Sequence, residues 1–438
     1  MANDSATPAP SPYPLPAARE AIVLHEGALE LRHDGDLIAG DGRLQLEVVP
    51  SLRFRFVIPD SGLAAPFTGR CTLSIPEIGA SAPAFVTNFQ AGGVIRGSLD
   101  TSSAGTSSDI VEVRFLVANL PDFMGTTLAS QSPLPTGGSQ RSYWAGRLEL
   151  NAGDWRIALD ERLDSKEVYA RLKDEGGFEI THIGSLSRAG GRAFSETDAS
   201  EVLNTLAGFL GVASGAWAPP AAAVGLDGDG SIVWREWNSR WTSPWISRVY
   251  PFDRRRHDLR GAFPGYAAHW ADPLWNEPLR IATQMYVEAN GQVAADITLV
   301  VGQALLELIS WVLFVEELQT HAAAAFDNVR ASDRLRELLN WIGISPAVPA
   351  SLAALRQEAM RHGWADGPHA ISEMRNSLIH PPRRQRLTRT SVHARIDLQE
   401  LVLWYAELAF LRLIDYNAQY ANRLGAKMTG VAEDVPWK

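Results

Sequence analysis

An apolar helical pattern in the C-terminal part of the chain ends in the sequence Met374-Arg375-Asn376-Ser377-Leu378-Ile379-His380-Pro381-Pro382. An arginine, an asparagine and a histidine lie close together here, and a proline pair follows them. Because a residue that precedes proline is pushed out of the α region, the helix is expected to stop at or before His380. The sequence therefore predicts that His380 lies at or just past a helix terminus.

The spacing of Arg375 and His380 limits how their side chains can meet. Each residue of an α-helix turns by about 100°, so two residues that are five apart point about 140° away from each other. On one straight helix they do not share a face. They can converge if the helix breaks at His380, or if two copies of the chain bring their motifs together. The second arrangement predicts a composite site in a homodimer.

These three residue types are sufficient for metal-independent cleavage of RNA. The attacking 2′-hydroxyl must lose a proton and the leaving 5′-oxygen must gain one, and histidine suits both transfers because its unperturbed pKa is about 6.5. A guanidinium group holds two phosphate oxygens and keeps its charge, and an amide can orient either group. We therefore expect His380 to be the general acid/base, Arg375 to stabilise the transition state and Asn376 to position them.

Further candidate site residues are basic side chains after the motif and one acidic side chain before it. Between Arg375 and Arg395 the chain has no acid and carries Arg383, Arg384, Arg386 and Arg389. This segment is positively charged, although the whole chain has a formal net charge of -10. Its arginines are expected to bind RNA phosphates, and the alternative is a solvated loop whose charges bind nothing. Glu307 lies in an apolar helical pattern, so it is expected either to orient Arg375 or to form a structural ion pair.

Composition indicates a soluble protein of two or three domains. The 438 residues exceed one typical core, and the single cysteine, Cys71, excludes an internal disulfide framework. A reducing cytoplasm is the predicted compartment. No metal and no other cofactor are expected, because the histidines are scattered and no His-Glu-x-x-His pattern occurs. Residues 297–315 are apolar, but a central acid disfavours membrane insertion, so a buried bundle helix is predicted.

The order of the predicted elements gives an α+β multidomain fold. Residues 1–20 are expected to be a disordered lead-in. Residues 21–195 show alternating apolar runs and turn sequences, which predict an antiparallel β-sandwich or barrel-like region with an exposed loop at 101–108. Residues 196–290 are expected to be a mixed α/β connecting region and residues 426–438 a loose tail. An all-α helical bundle is predicted for 291–425, with helices at 296–326, 333–342, 352–362, 368–379 and 398–421.

Local signals add detail to this outline. Helix caps are expected at Thr197 or Asp198, at Ser332 and at Ser351. Asp227-Gly228-Asp229-Gly230 predicts a hairpin turn. Aromatic and basic residues interleave in the connecting region at Trp234, Trp237, Trp241, Trp245, Arg254, Arg255, Arg256, Trp270 and Trp275. They could stack bases and hold phosphates, but packing between the β region and the helical region is the favoured interpretation.

The Arg-Asn-x-x-x-His pattern resembles the ribonuclease motif of the HEPN superfamily (higher eukaryotes and prokaryotes nucleotide-binding domains), with Arg375, Asn376 and His380 at its three positions. The helical pattern of residues 296–425 is similar as well. The resemblance implies a HEPN-like helical bundle, the same residue roles, no metal, and an active site shared across a homodimer. Related nucleotidyltransferase-linked toxins carry a tyrosine two positions after the histidine. Pro382 stands there in this chain, so control through such a tyrosine is not expected.

A β-rich N-terminal region before a helical ribonuclease domain also resembles ApeA-type antiphage proteins, with a diffuse likeness at residues 85–89 and 113–120. This resemblance implies that the β region senses or regulates, in response to a phage-derived trigger, and that the helical domain cuts RNA, such as tRNA, in abortive infection. The resulting prediction is a cytoplasmic, homodimeric, metal-independent endoribonuclease toxin of antiviral defence. The alternatives are a non-catalytic RNA- or protein-binding module and a β-rich ligand sensor whose helical domain only dimerises.

Overall fold

The computed structural model describes residues 6–16, 19–59, 68–90, 94–99, 101–104, 107–133, 139–238, 240–253, 259–291, 294–380, 390–426, 428 and 430–438. The chain divides into two compact units. The β unit comprises Met1–Ala207 and Ala218–Ser247, and the helical unit comprises Gly208–Trp217 and Arg248–Lys438. The predicted layout, an antiparallel β region followed by a helical region, is confirmed.

Six strands of the β unit close into a barrel in the order β1-β2-β3-β6-β5-β4. They are β1 (Ile22–His33), β2 (Asp36–Glu47), β3 (Arg53–Ile58), β4 (Gly69–Ile75), β5 (Ala80–Gln90) and β6 (Val94–Leu99). Alternate side chains such as Leu44, Phe56 and Val86 point inward and are fully buried. The turn between β1 and β2 has positive φ at both Asp34 (46°) and Gly35 (94°), as a type I′ hairpin requires.

Eight further strands form an antiparallel sheet in the order β7-β14-β13-β8-β12-β11-β10-β9. They are β7 (Thr101–Ala104), β8 (Glu112–Ala118), β9 (Thr126–Pro133), β10 (Ser139–Ala152), β11 (Trp155–Glu161), β12 (Ile180–Arg188), β13 (Pro220–Leu226) and β14 (Ile232–Asn238). The predicted hairpin at 227–230 is confirmed between β13 and β14. The exposed loop predicted for 101–108 is wrong at Thr101–Ala104, because pairing with β14 overrides the weak strand preference of a serine-rich sequence.

Helix α1 (Ser165–Glu175) interrupts the region that was predicted to hold strands alone. Its buried residues Val168, Tyr169 and Leu172 pack together with Trp245, and the Tyr169 hydroxyl donates to the carbonyl of Leu120 at 2.9 Å. The spacing of these three buried residues is helical. The period was therefore present in the sequence and was missed.

The N-terminal segment 6–16 is ordered, so the expectation of a disordered lead-in is wrong for these residues. The Ala6 N–H donates to the carbonyl of Thr127 at 3.0 Å, and the Ala129 N–H donates to the carbonyl of Ala6 at 2.9 Å. Tyr13 is buried and accepts a hydrogen bond from Trp237 Nε1 at 3.1 Å. Prolines at every second position from 8 to 16 suggested disorder, but the backbone of Ala6 and the hydroxyl of Tyr13 anchor the segment without the N–H groups that the prolines lack.

The helical unit is built around α5, which contacts four other helices. The helices are α2 (Glu196–Ser214), whose last residues belong to this unit, α3 (Leu259–Ala271), α4 (Asn276–Ala289), α5 (Ala295–Trp311), α6 (Ala323–Asp327), α7 (Ala331–Ile342), α8 (Ala353–His362), α9 (Gly367–Ile379) and α10 (Val392–Leu413). A π-helical turn, Val312–Glu317, follows α5. The stretch Ala295–Glu317 is long and apolar enough to cross a membrane, but 61% of its most apolar window is buried, as in the core helix of a soluble protein.

Several predicted helix boundaries are wrong. The single helix predicted for 296–326 breaks after the π-helical turn, and Gln319 has a φ of 51°. Neither Ser332 nor Ser351 caps a helix, because α7 begins after Arg330 and α8 begins after Leu352. Helix α2 was predicted to be capped by Thr197 or Asp198, but Ser195 caps it. The Ser195 hydroxyl accepts from the Asp198 N–H, and the Asp198 carboxylate accepts from the Ser195 N–H.

The C-terminal tail is not loose. Strands β15 (Gln419–Tyr420) and β16 (Glu433–Asp434) pair with each other, and Trp437 Nε1 donates to the carbonyl of Tyr416 at 2.9 Å. These contacts join residues that are distant in sequence, so the composition of the segment did not predict them.

Candidate functional site

Helix α9 carries the motif, and its start is fixed by an acid that sequence analysis did not select. Asp366 is the N-cap residue, and its carboxylate accepts from the His369 N–H at 2.9 Å. Arg336 of α7 donates to both oxygens of the same carboxylate, at 2.7 and 3.0 Å. An aspartate before Gly-Pro is a recognisable helix start, so the sequence contained the signal.

The other end of α9 places His380 where it was predicted. The helix ends at Ile379, and His380 has extended backbone angles (φ -110°, ψ 103°) while its N–H still donates to the carbonyl of Asn376 at 3.0 Å. The His380 side chain is exposed.

Arg375 and Asn376 lie together in the last turns of α9. Both side chains are half-buried, whereas Met374 and Ser377 on the packed face are buried. Arg375 Nη1 lies 3.5 Å from Asn376 Oδ1, the outer limit of a hydrogen bond. Among the described residues of one protomer, no hydrogen bond joins either side chain to the His380 imidazole. The structure thus brings two of the three motif residues together and leaves the third exposed beside them.

Glu307 takes the second of its two predicted roles. Gln303 Nε2 donates to Glu307 Oε1 at 2.7 Å, and Arg334 Nη1 lies 3.8 Å from Glu307 Oε2. The carboxylate therefore faces α7, where Arg334 also lies over the ring of Phe326. Arg334 thus forms the ion pair that the structure shows for Glu307, and the expected role of Glu307 in orienting Arg375 stays a prediction.

The chain returns beside α9 at the start of α10. The Thr390 hydroxyl lies 3.5 Å from the sulfur of Met374, and the Ser391 N–H donates to buried Glu358 at 3.2 Å. The Ser391 hydroxyl caps α10 by accepting from the Ala394 N–H. This cap explains why α10 begins at Val392 and not at 398 as predicted.

Other predicted binding residues fall into two groups. Arg383, Arg384, Arg386 and Arg389, together with Arg254, Arg255 and Arg256, lie outside the described residues. Of the tryptophans, Trp234, Trp237 and Trp275 are buried and act as packing residues within their own units, whereas Trp241 is 66% exposed.

Within the described ranges, no group of three or more His, Cys, Asp or Glu side chains is arranged to hold a metal ion.

Exposed apolar side chains occur on the elements that carry or flank the motif. Ile297, Ile379, Val392 and Ile396 are 54%, 40%, 57% and 46% exposed. The starts of α5 and α10 are joined by an ion pair between Asp296 and Arg395, with 3.2 Å between Oδ2 and Nη1. This pair places the elements that bear Ile297 and Ile396 next to each other.

Comparison with known proteins gives similarity to one group. Residues 272–433 match the family described as YopA C-terminal domain, and residues 105–248 match the YopA central domain. Over 435 residues the chain is 24% identical to the SPbeta prophage-derived uncharacterized protein YopA of Bacillus subtilis (strain 168), an alignment that covers 96% of this chain and 95% of that protein. No solved structure matches the chain.

Proposed function

We propose that the chain is a metal-independent endoribonuclease of the HEPN type, with Arg375, Asn376 and His380 as its catalytic residues. The observation that carries this proposal is the end of α9, where a half-buried arginine contacts an asparagine and an exposed histidine follows directly past the helix. These side chains supply a fixed cation, an orienting amide and a mobile proton at one place on the surface.

The chemical step follows from these roles. His380 takes the proton of the RNA 2′-hydroxyl, and the 2′-oxygen attacks the adjacent phosphorus. The bond from phosphorus to the 5′-oxygen breaks, and that oxygen receives a proton from an imidazolium. Arg375 neutralises the extra charge of the pentacoordinate phosphate, and Asn376 holds the guanidinium in place. The products are a 2′,3′-cyclic phosphate and a 5′-hydroxyl.

A homodimer completes the site in this proposal. One imidazole can act as both base and acid in a single step only if the proton that it accepts is passed on to the 5′-oxygen. Two motifs brought together supply two imidazoles, one for each role. In this proposal a second copy covers the exposed residues Ile297, Ile379, Val392 and Ile396, which lie on the elements that carry or flank the motif. RNA, such as tRNA, is the proposed substrate.

The biological setting is proposed to be antiphage defence in the cytoplasm. The β unit would sense a phage-derived trigger or regulate the helical unit, as the resemblance to ApeA-type proteins implies. The prophage origin of the Bacillus subtilis relative supports a phage-related role.

Cleavage of total RNA by the purified protein in EDTA tests this proposal. Arg375→Ala and His380→Ala are expected to lose cleavage while staying folded. His393→Ala is the matched control, because His393 is an exposed histidine of the same unit. If the resting protein is silent, extract from phage-infected cells supplies the trigger. Salt-dependent RNA binding without cleavage in both settings would instead favour a non-catalytic RNA-binding module.

A further inference from the structure

The outer surface of the barrel carries a row of side chains that the ribonuclease proposal does not use. Arg70 of β4 pairs in register with Phe85 of β5, Phe85 pairs with Ser98 of β6, and Ser98 pairs with Arg55 of β3. Directly paired residues of antiparallel strands point to the same side of a sheet. The four side chains therefore form one continuous row across four strands, spanning about 14 Å at 4.7–4.9 Å per strand.

Phe85 is the unusual member of this row. Its neighbours along β5, Ala84 and Val86, point into the barrel and are 5% and 0% exposed, but Phe85 is 48% exposed. A large aromatic ring on the open face of a strand contributes little to the core on the opposite side. The exposed ring is therefore available for contact with a partner molecule.

The charge around Phe85 is positive. Arg70 and Arg55 lie in the same row, and Arg96 of β6 lies in the next row, paired in register with Asn88 and Val57. Within the described part of the chain, neither Arg70 nor Arg96 has a carboxylate at salt-bridge distance. Arg55 shares Glu47 with Arg53, at 3.8 and 3.1 Å. The face thus has a net positive charge, although the whole chain carries a formal charge of -10.

We propose that this barrel face, made of Arg55, Arg70, Phe85, Arg96 and Ser98, binds single-stranded nucleic acid. Phe85 stacks on one base, and Arg70 and Arg96 contact the phosphates on either side of it. A single strand fits better than a duplex, because the ring needs a base whose face is free. The proposal does not depend on the Arg375 and His380 motif, since it requires binding alone.

Fluorescence anisotropy of a labelled 12-nucleotide oligo-dT with the full-length protein tests the proposal. This probe lacks the 2′-hydroxyl, so ribonuclease activity cannot destroy it. Phe85→Ala is expected to weaken binding at least about fivefold, the lower end for loss of one base stack. Arg70→Ala is expected to weaken binding and to reduce the slope of log affinity against log salt by about 0.7. Tyr143→Ala is the matched control, because Tyr143 is a 50% exposed aromatic residue on β10 of the same unit.

The outcomes separate clearly. Binding that is lost in Phe85→Ala but kept in Tyr143→Ala supports the barrel face, and parallel titrations with oligo-U show whether RNA is preferred to DNA. The proposal is overturned if the native protein does not bind oligo-dT at low salt, if both aromatic variants bind like the native protein, or if duplex DNA binds as tightly as the single strand. None of these results bears on RNA cleavage, so failure here leaves the ribonuclease proposal standing.

Discussion

The buried ion pair between Glu407 and Arg423 gives a sharp test of how the helical unit is held together. The side chains are 0% and 3% exposed, and Arg423 Nε lies 3.0 Å from Glu407 Oε1. Tyr286 donates its hydroxyl to the same oxygen at 2.8 Å, and Arg423 also donates to Asn290 Oδ1 at 2.7 Å. Burial alone would lower the pKa of Arg423, but attraction to Glu407 outweighs it, so the guanidinium stays charged.

Removing the negative partner leaves a cation buried without compensation. Loss of one member of such a pair costs about 3–5 kcal/mol. Glu407→Gln keeps the shape of the side chain, and Glu400 still lies 3.6 Å from Arg423, so the lower end of that range applies. In a unit of this size, 1 kcal/mol shifts the melting temperature by about 2–4 °C. Glu407→Gln is therefore expected to lower the Tm of the helical unit by about 6–12 °C.

Thermal and urea unfolding of the full-length protein, followed by circular dichroism, measure this effect. Lys438→Ala is the control, because it removes an exposed ion pair with Asp434 in the same unit and should cost no more than about 1 kcal/mol. The double variant Glu407→Leu with Arg423→Leu is expected to recover part of the loss, because the charge that remains, on Glu400, is 22% exposed and not fully buried. If Glu407→Gln stays within about 1 kcal/mol of the native protein, the reasoning from buried charge is refuted.

Three further substitutions have expected effects on stability, each measured by urea unfolding. Burial raises the pKa of Glu161 from 4.5 to about 7, so its stabilising protonated form is fully present below about pH 4.5 and is lost as the pH rises through about 7. At 1.36 kcal/mol per pKa unit the Glu161 carboxyl alone removes about 3 kcal/mol over that range, so the stability of Glu161→Gln relative to the native protein should rise by about that amount between pH 4.5 and 7; a difference that stays constant with pH would argue against it. Asp366→Ala should cost about 1–2 kcal/mol through loss of the α9 cap and the partner of Arg336, whereas Asp366→Asn should retain the cap, and equal losses in both would contradict this account. Gly97→Ala should cost about 1–3 kcal/mol, because its Cβ would collide with the Phe56 ring and with the backbone carbonyl oxygen of Phe85; a neutral result would contradict the tight packing inferred at this position.

Local pattern predicted the strands of the barrel better than it predicted their arrangement. The alternation of residues 53–58 predicted a strand with the same bounds as β3, and His33-Asp34-Gly35-Asp36 predicted the turn that the structure shows. Barrel closure depends on pairing between β1 and β4 and between β3 and β6. These pairings join distant parts of the chain, and no local pattern specifies them.

The break after α5 shows a limit of helical periodicity. Apolar residues continue through 312–315, so the helical pattern gave no sign that a π-helical turn begins at Val312. The turn is held by tertiary contacts, such as the hydrogen bond from Trp275 Nε1 to Glu317 Oε2 at 3.1 Å. Trp275 directly precedes α4, so this contact joins parts of the chain that are distant in sequence and is not visible in the local pattern.

At the candidate site, the sequence predicted which residue types are present and where the helix ends, but it did not predict which side chains form ion pairs. The prolines after His380 predicted the end of α9 correctly. The sequence does not show which arginine pairs with Glu307, because the candidates lie on other helices. The packing of α7 against α5 places Arg334 beside it.

The chemical nature of RNA fragment ends tests the central claim most directly. The native protein, in EDTA and with infected-cell extract if needed, is expected to leave 2′,3′-cyclic phosphate and 5′-hydroxyl ends. A substrate with one 2′-deoxynucleotide at the cut site should resist cleavage there, and His380→Ala should leave the RNA intact while His393→Ala cuts normally. Fragments with 3′-hydroxyl and 5′-phosphate ends, or cleavage that persists in His380→Ala, would contradict the assignment of this site.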